Sequence, residues 1–200
     1  MAPESGSNRP NPRSGPRSSP LRDPIIGTRT LHESRAYDVE ELEIERPSGV
    51  QSKAIIRHRG AVVIVPLLEQ PGRSPKFVMV RNDRHALNAQ LEEFPAGGID
   101  AGEGPLEAAA RELREETGYE ATSIYPIGTF YTTPGMTDEL MHAYAATGLR
   151  QVGQDLEEDE SLEVVTRTMA DLESMIERGE LKDGKTILAL LWAERSGLLR

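Results

Sequence analysis

The amino-acid sequence predicts an α/β (α+β) domain, and three observations lead there. Strand-like and helix-like segments alternate along the chain after residue 25. Two apolar runs, AVVIVPLL at 61–68 and KFVMVR at 76–81, have the unbroken hydrophobicity of strands buried at the centre of a sheet. Two hundred residues suffice for one core with a modest addition. A hydrophobic fraction of 37% is low for a globule, so some segment must dilute it.

Residues 1–24 are that segment. Six Pro, five Ser and two Gly, with no run able to bury apolar surface, predict a disordered tail. Residues 25–59 follow as a β subdomain: TRTLHES, YDVEELEIE and SKAIIRHR, broken at the turn-like Arg46-Pro47-Ser48-Gly49, predict three antiparallel strands. Residues 60–200 form the main domain. Its two central strands are joined by a turn at 70–75, rich in Pro and Gly. A helix is predicted over 106–117, with Pro105 at its first position and Gly118 just past its end. Strands are expected around 124–131 and 140–147, then an acidic loop at 155–160 and a strand at 162–168. Two helices close the chain, at 170–178 with Leu172, Met175 and Ile176 on one face, and at 186–195 with Ile187, Leu188, Leu191 and Trp192 on one face. The sequence contains no internal repeat.

Charge narrows the function. The chain carries a formal −10, the tail contributes +2, and residues 25–200 therefore carry −12. An acidic body repels a phosphate backbone, which argues against bulk nucleic-acid binding. The absence of Cys excludes disulfides, a thiolate nucleophile and Cys-ligated metal sites. The longest apolar runs are far shorter than a bilayer span and the tail lacks a signal-like apolar stretch, so a soluble cytoplasmic protein without membrane contact is expected. Residues 179–186, GELKDGKT, match the phosphate-loop pattern G-x4-G-K-[ST] literally. That loop needs a buried strand before it; here an amphipathic helix precedes it, and Glu180 and Asp183 would repel phosphate. The segment reads instead as a helix end at Gly179, a turn, and Thr186 capping the next helix. The four His show no metal-ligand spacing.

The informative element is the helix at 106–117. At about 100° per residue, Leu106, Ala109, Ala110 and Leu113 share an arc that predicts the buried stripe. Glu112, Glu115 and Glu116 share one narrow face beside it. A solvated charged helix is the ordinary explanation of RELREE, and Glu107 before Arg111 fits it. Three glutamates at i, i+3 and i+4 do not, since each like-charge pair costs roughly 0.2–0.5 kcal/mol. Oxygen-only ligands at this spacing suit a hard divalent cation such as Mg²⁺, which would offset the repulsion.

Residues 97–119 resemble the Nudix box, G-x5-E-x7-R-E-U-x-E-E-x-G-U with U a bulky aliphatic. Gly97, Glu103, Arg111, Glu112, Leu113, Glu115, Glu116 and Gly118 all fall in place, and Tyr119 stands where an aliphatic is usual. The resemblance implies a Nudix α/β/α sandwich with a mixed sheet, and hydrolysis of a nucleoside diphosphate linked to some further group. It implies metal ligands at Glu112, Glu115, Glu116 and the carbonyl of Ala96, with Glu103 and Arg111 orienting the loop and carboxylates, so that Glu115, Arg111 and Glu103 also count as catalytic. Arg111 pairing with Glu115 and Glu103 favouring the helix N-terminus are the plain structural alternatives.

Flanking residues point further. The lead LEEFPAGGIDAGE at 91–103, and Pro134 fifteen residues past Tyr119 within TPGMTDE, are similar to ADP-ribose pyrophosphatases; alone, Pro134-Gly135 reads as a turn. That resemblance implies a catalytic glutamate at Glu158 and an added metal ligand at Glu160, although Glu157, Asp159 and Glu163 lie close by. It implies substrate contacts at Arg84 and Glu139 and, more loosely, Arg59. The implied reaction is hydrolysis of ADP-ribose to AMP and ribose 5-phosphate with Mg²⁺, or Mn²⁺, in a homodimer built through residues 25–59. Other nucleoside diphosphate substrates such as GDP-mannose, NADH or a dinucleoside polyphosphate are the alternative within the family, and a non-catalytic ligand-binding domain is the alternative outside catalysis. Isopentenyl diphosphate isomerase chemistry is disfavoured by the missing Cys.

Overall fold

The computed structural model describes residues 23–156 and 162–199. Its architecture is the mixed α/β class that the sequence predicts. The expected tail, apart from Asp23 and Pro24, and residues 157–160 of the acidic loop together with Ser161 lie outside the described residues.

Strands β1 (Ile25–Glu33), β2 (Tyr37–Arg46) and β3 (Gly49–His58) form a separate antiparallel sheet in chain order. The main sheet runs β10 (Leu162–Arg167), β5 (Arg73–Arg84), β4 (Ala61–Gln70), β9 (Leu140–Gln151), β8 (Tyr119–Tyr131). It is mixed, because β4 and β9 are parallel while the other pairs are antiparallel. Two short strands without a strand signal in the sequence, β6 (Ala89–Glu93) and β7 (Ala96–Gly98), attach to β5 and β4. Their sequences, AQLEE and AGG, carry no apolar alternation, and only neighbouring strands make them extended.

Strand β4 organises both cores. Ala61, Val63, Val65 and Leu67 face Leu172, Leu181, Ala189, Leu190 and Ala193, whereas Val62 and Ile64 face Ala108, Ala109 and Leu113. The sheet is thus covered by α1 (Pro105–Thr117) on one side and by α2 (Met169–Glu177) with α3 (Gly184–Arg195) on the other. Val62 to Val65 are wholly buried, and each such side chain contributes roughly 1.5–3 kcal/mol relative to exposure. This two-sided burial explains the unbroken apolar run.

The helix faces depart from expectation in one direction. On α1 the buried residues are Ala108, Ala109, Glu112, Leu113, Glu116 and Thr117, while Leu106 is 51% exposed and Ala110 is exposed. The buried arc is rotated toward the glutamates, because α1 packs with two carboxylates against the β7 backbone. On α2, Leu172 is buried but Ile176 is exposed; on α3, Ala189, Leu190 and Ala193 take the buried positions and Leu191 is exposed. Small residues let these helices approach the sheet, so hydrophobicity alone misplaced the contact. Thr186 is not the cap of α3: Asp183 is, its carboxylate accepting from the Thr186 N–H at 3.0 Å. Gly118, at φ +72°, ends α1 as predicted.

Two junctions position the site. Strands β4 and β5 pair only near their shared turn, at Leu67↔Phe77, Leu68↔Lys76 and Gln70↔Arg73. Beyond that they part, β4 pairing β7 and β5 pairing β6, and the fully buried Phe94 fills the wedge with its ring centroid 5.9 Å from that of Phe77. The second junction ties the N-terminal sheet to the β8–β9 loop. The Ile56 N–H donates to the Met136 carbonyl at 2.9 Å, and Asp138 accepts from the His58 N–H at 2.8 Å and pairs with Arg57 at 3.1 Å. Among the described residues, no helix is long and apolar enough to cross a membrane.

Candidate active site

The site begins where β7 brings its backbone under α1. Pairing of Val63 with Ala96, Val62 with Gly97 and Ala61 with Gly98 fixes the strand, and the Ala96 N–H donates to Glu116 Oε2 at 3.0 Å. A Cβ added at Gly97 would overlap the Glu112 carboxylate, so glycine is what lets that carboxylate lie against the backbone.

Arg111 gathers the remaining carboxylates. Its Nε and Nη2 donate to the two oxygens of Glu103 at 2.9 and 3.0 Å, Nη1 donates to Glu112 at 2.8 Å and to Glu115 at 3.0 Å, and Nη2 also donates to the Gly98 carbonyl at 2.9 Å. One guanidinium therefore faces three carboxylates. The hydrogen bonds to Glu103, then the charge of Glu112 and the hydrogen bonds to Glu115 and Glu112, raise the Arg111 pKa beyond its ordinary value against the opposing effect of burial. Arg111 in turn holds Glu103 below the usual carboxylate range. Arg111 does pair with Glu115, whereas Glu103 accepts from the Asp100 N–H at 3.1 Å in the loop before the helix, and it is Glu107 that accepts from the N-cap Gly104 N–H, at 2.8 Å.

Two cavities share the wall formed by His58 and Ala96 to Gly98. One, of 300 Å³, is lined also by Arg35, Arg59, Arg111, Glu112 and Glu115. The other, of 630 Å³, is lined also by Arg84, Tyr131, Thr132, Glu139, Asp183 and Lys185. The expected substrate contacts Arg84, Glu139 and Arg59 thus line the two cavities that meet at β7, and so do Glu112, Glu115 and Ala96. Glu103 and Glu116 are not among the lining residues; Glu103 is held by Arg111 and Glu116 by the Ala96 N–H. Glu158 and Glu160 lie outside the described residues. Thr133 to Thr137 turns back on itself, with the Met136 N–H donating to the Thr133 carbonyl at 2.9 Å, as Pro134-Gly135 suggests.

Several lining residues had no sequence signal. His58 lies 3.7 Å from Glu139, which also accepts a hydrogen bond from Thr132. Arg35 comes from the β1–β2 turn. Lys185 and Asp183 belong to the segment that matches the phosphate-loop pattern, and both line the second cavity. They join Glu93, which is 1% exposed. Arg84 Nε donates to one Glu93 oxygen at 2.8 Å and Nη2 to the other, while Lys185 reaches the second oxygen. Burial pushes the Glu93 pKa up, but Arg84 and Lys185 outweigh it and hold it below the usual range.

Among the described residues, no three His, Asp or Glu side chains already converge as a ready-made metal cage. The donor set nevertheless suits a hard divalent cation: it is all oxygen, it includes two buried carboxylates, and its negative charge exceeds that of the one guanidinium at its centre.

Comparison with known proteins follows the same lines. A family model described as NUDIX domain matches residues 57–190. The chain is 34% identical over 177 residues to an ADP-ribose pyrophosphatase of Bacillus subtilis (strain 168), covering 87% of this chain and 94% of the relative. It is 33% identical over 159 residues to a GDP-mannose pyrophosphatase of Yersinia enterocolitica, covering 78% of each. A crystal structure of an ADP compounds hydrolase superposes with a TM-score of 0.72 at 24% identity, covering 90% of this chain and 96% of the other.

Proposed function

Because the chain belongs to the NUDIX family and is a pyrophosphohydrolase, we propose that it hydrolyses ADP-ribose to AMP and ribose 5-phosphate with Mg²⁺. The observation that carries this reading is the shared β7 wall, where a cavity lined by Glu112 and Glu115 adjoins one lined by Arg84 and Glu139. A relative described as an ADP-ribose pyrophosphatase, matched along most of both chains, supports the substrate.

In this reading Glu112, Glu115, Glu116 and the Ala96 carbonyl, with Glu160, would hold the divalent cations. Bound cations neutralise charge on the diphosphate and lower the pKa of a water molecule. Arg84 and Glu139 orient the substrate, and Arg59 faces the cavity on the carboxylate side. Arg111 fixes Glu112 and Glu115, and Glu103 fixes Arg111. Glu158 accepts a proton from water, whose oxygen forms a bond to one phosphorus as the bridging P–O bond breaks. Exposed Ile25, Ile26, Leu31 and Val50 on β1–β3 support a homodimer formed through that sheet, for which sedimentation should return a dimer and a monomer would count against it.

The test is product-resolved hydrolysis of ADP-ribose, GDP-mannose, NADH and diadenosine polyphosphates with Mg²⁺, with Mn²⁺ and with chelator. The expected result is that ADP-ribose is cleaved fastest and only with metal. A second reading, GDP-mannose hydrolysis, is favoured by the pyrophosphatase relative of that name, and faster GDP-mannose cleavage would replace the first reading with it.

A further inference from the structure

We propose that Glu93 is a positioning residue that holds the Arg84 guanidinium in place on the cavity wall, with Lys185 anchoring the carboxylate from α3. The proposal rests on the reading that Arg84 contacts substrate, and it adds a residue that the reaction scheme does not use.

Glu93 is the buried carboxylate that lies off α1 among the described residues, and nothing about strand β6 requires a charge there. A buried carboxylate persists only when its oxygens are fully engaged. Both are: one accepts from Arg84 Nε, the other from Arg84 Nη2 and from Lys185 Nζ. The Arg84 fork is thereby fixed in its plane, a constraint that a single-point ion pair would not impose. The Arg84 side chain is still 40% exposed and lines the 630 Å³ cavity, so a held cation is presented to whatever enters.

Glu93 is itself immobilised from two sides. Its backbone pairs with Val80 in β5. The neighbouring Phe94 N–H donates to Thr186 Oγ1 at 2.9 Å, and Asp183 accepts from both Thr186 Oγ1 and Lys185 Nζ, at 2.6 and 2.9 Å. The first turn of α3 is thus locked to β6 by a closed set of hydrogen bonds. An arginine held beforehand loses less side-chain freedom when it grips an anion, so this arrangement favours binding over turnover.

The test is a double-mutant cycle of Glu93→Gln with Arg84→Ala, read as KM and kcat for whichever nucleoside diphosphate substrate the chain cleaves. Gln keeps the volume but presents an amide N–H₂ where Arg84 and Lys185 both donate. Glu93→Gln should raise KM about tenfold, the lower end for losing an outer partner, with kcat within about twofold, and should add nothing in the Arg84→Ala background. Glu93→Asp should recover part of the loss, and it replaces Gln in the cycle if the Gln variant does not fold. Mg²⁺ binding to the protein alone, measured calorimetrically, should not change. An unchanged KM with lowered melting temperature, or an effect that adds fully to Arg84→Ala, would reduce Glu93 to a structural clasp between β6 and α3 and overturn the proposal. If Arg84→Ala itself leaves KM unchanged, the reading of Arg84 as a substrate contact fails first and takes this proposal with it.

Discussion

Glu93 on β6 and the pair Glu112 and Glu116 on α1 are the carboxylates buried among the described residues, and they are buried under opposite electrostatic terms. Around Glu93 two cations meet one carboxylate, and every oxygen is engaged by a charged donor. Around α1 one guanidinium meets Glu103, Glu112 and Glu115, while Glu116 is bonded to a backbone N–H. The same residue type at the same depth therefore does two things. The first arrangement is complete within the chain and holds cations still. The second leaves an excess of negative charge at the groove, which a divalent cation would offset.

Neutralising one member of each cluster breaks the comparison most sharply. Glu116→Gln should lower kcat by about 10²–10³-fold, the scale of losing one group that stabilises transition-state charge. Yet it should leave the metal-free fold as stable or a few tenths of a kcal/mol more stable, because a like-charge pair on α1 is relieved. Glu93→Gln should do the reverse, lowering stability without abolishing turnover. Thermal unfolding in chelator, set beside initial rates with Mg²⁺, separates the two.

A smaller effect is expected from Gly97→Ala. Its Cβ must displace the Glu112 carboxylate, which should cost about 1–3 kcal/mol in overpacking. Activity should fall about tenfold as the carboxylate is turned away from the groove; urea unfolding and kcat report the two losses.

The smallest effect is acid sensitivity. Glu93 is held below its ordinary value of 4.5, so its pairing stabilises the fold fully above that value and the contribution is lost as pH falls through the lower folded value. Wild type should therefore lose stability below about pH 4.5, and Glu93→Gln should lose less over the same range. An equal acid loss in both proteins would show that Glu93 is not the group responsible.

Much of this was written locally. The period of α1, its Pro105 start and its Gly118 end depend on near neighbours, and so does the crowding of Glu112, Glu115 and Glu116 on one face. The two-sided burial of β4 follows from an apolar run too short to span a membrane and too uniform for a surface strand. What escaped was relational. Leu106 looked like core and is exposed; Glu112 and Glu116 looked flanking and are buried, because β7 lies over that side of α1. The sequence of β7 is only AGG, and it becomes a strand by pairing with β4 across more than thirty intervening residues.

By itself, then, the sequence determined the class of fold, the helix that bears the carboxylates, and the family to which the chain belongs, since each depends on spacing along a few turns of chain. The tertiary structure alone decided which of those carboxylates are buried and that Arg84, Glu139 and Arg59 line two adjoining cavities. It alone decided, too, that Lys185 at the start of α3 grips Glu93. The reason is physical: periodicity records how a residue sits on its own element, whereas burial and ion pairing depend on what a distant element lays against it.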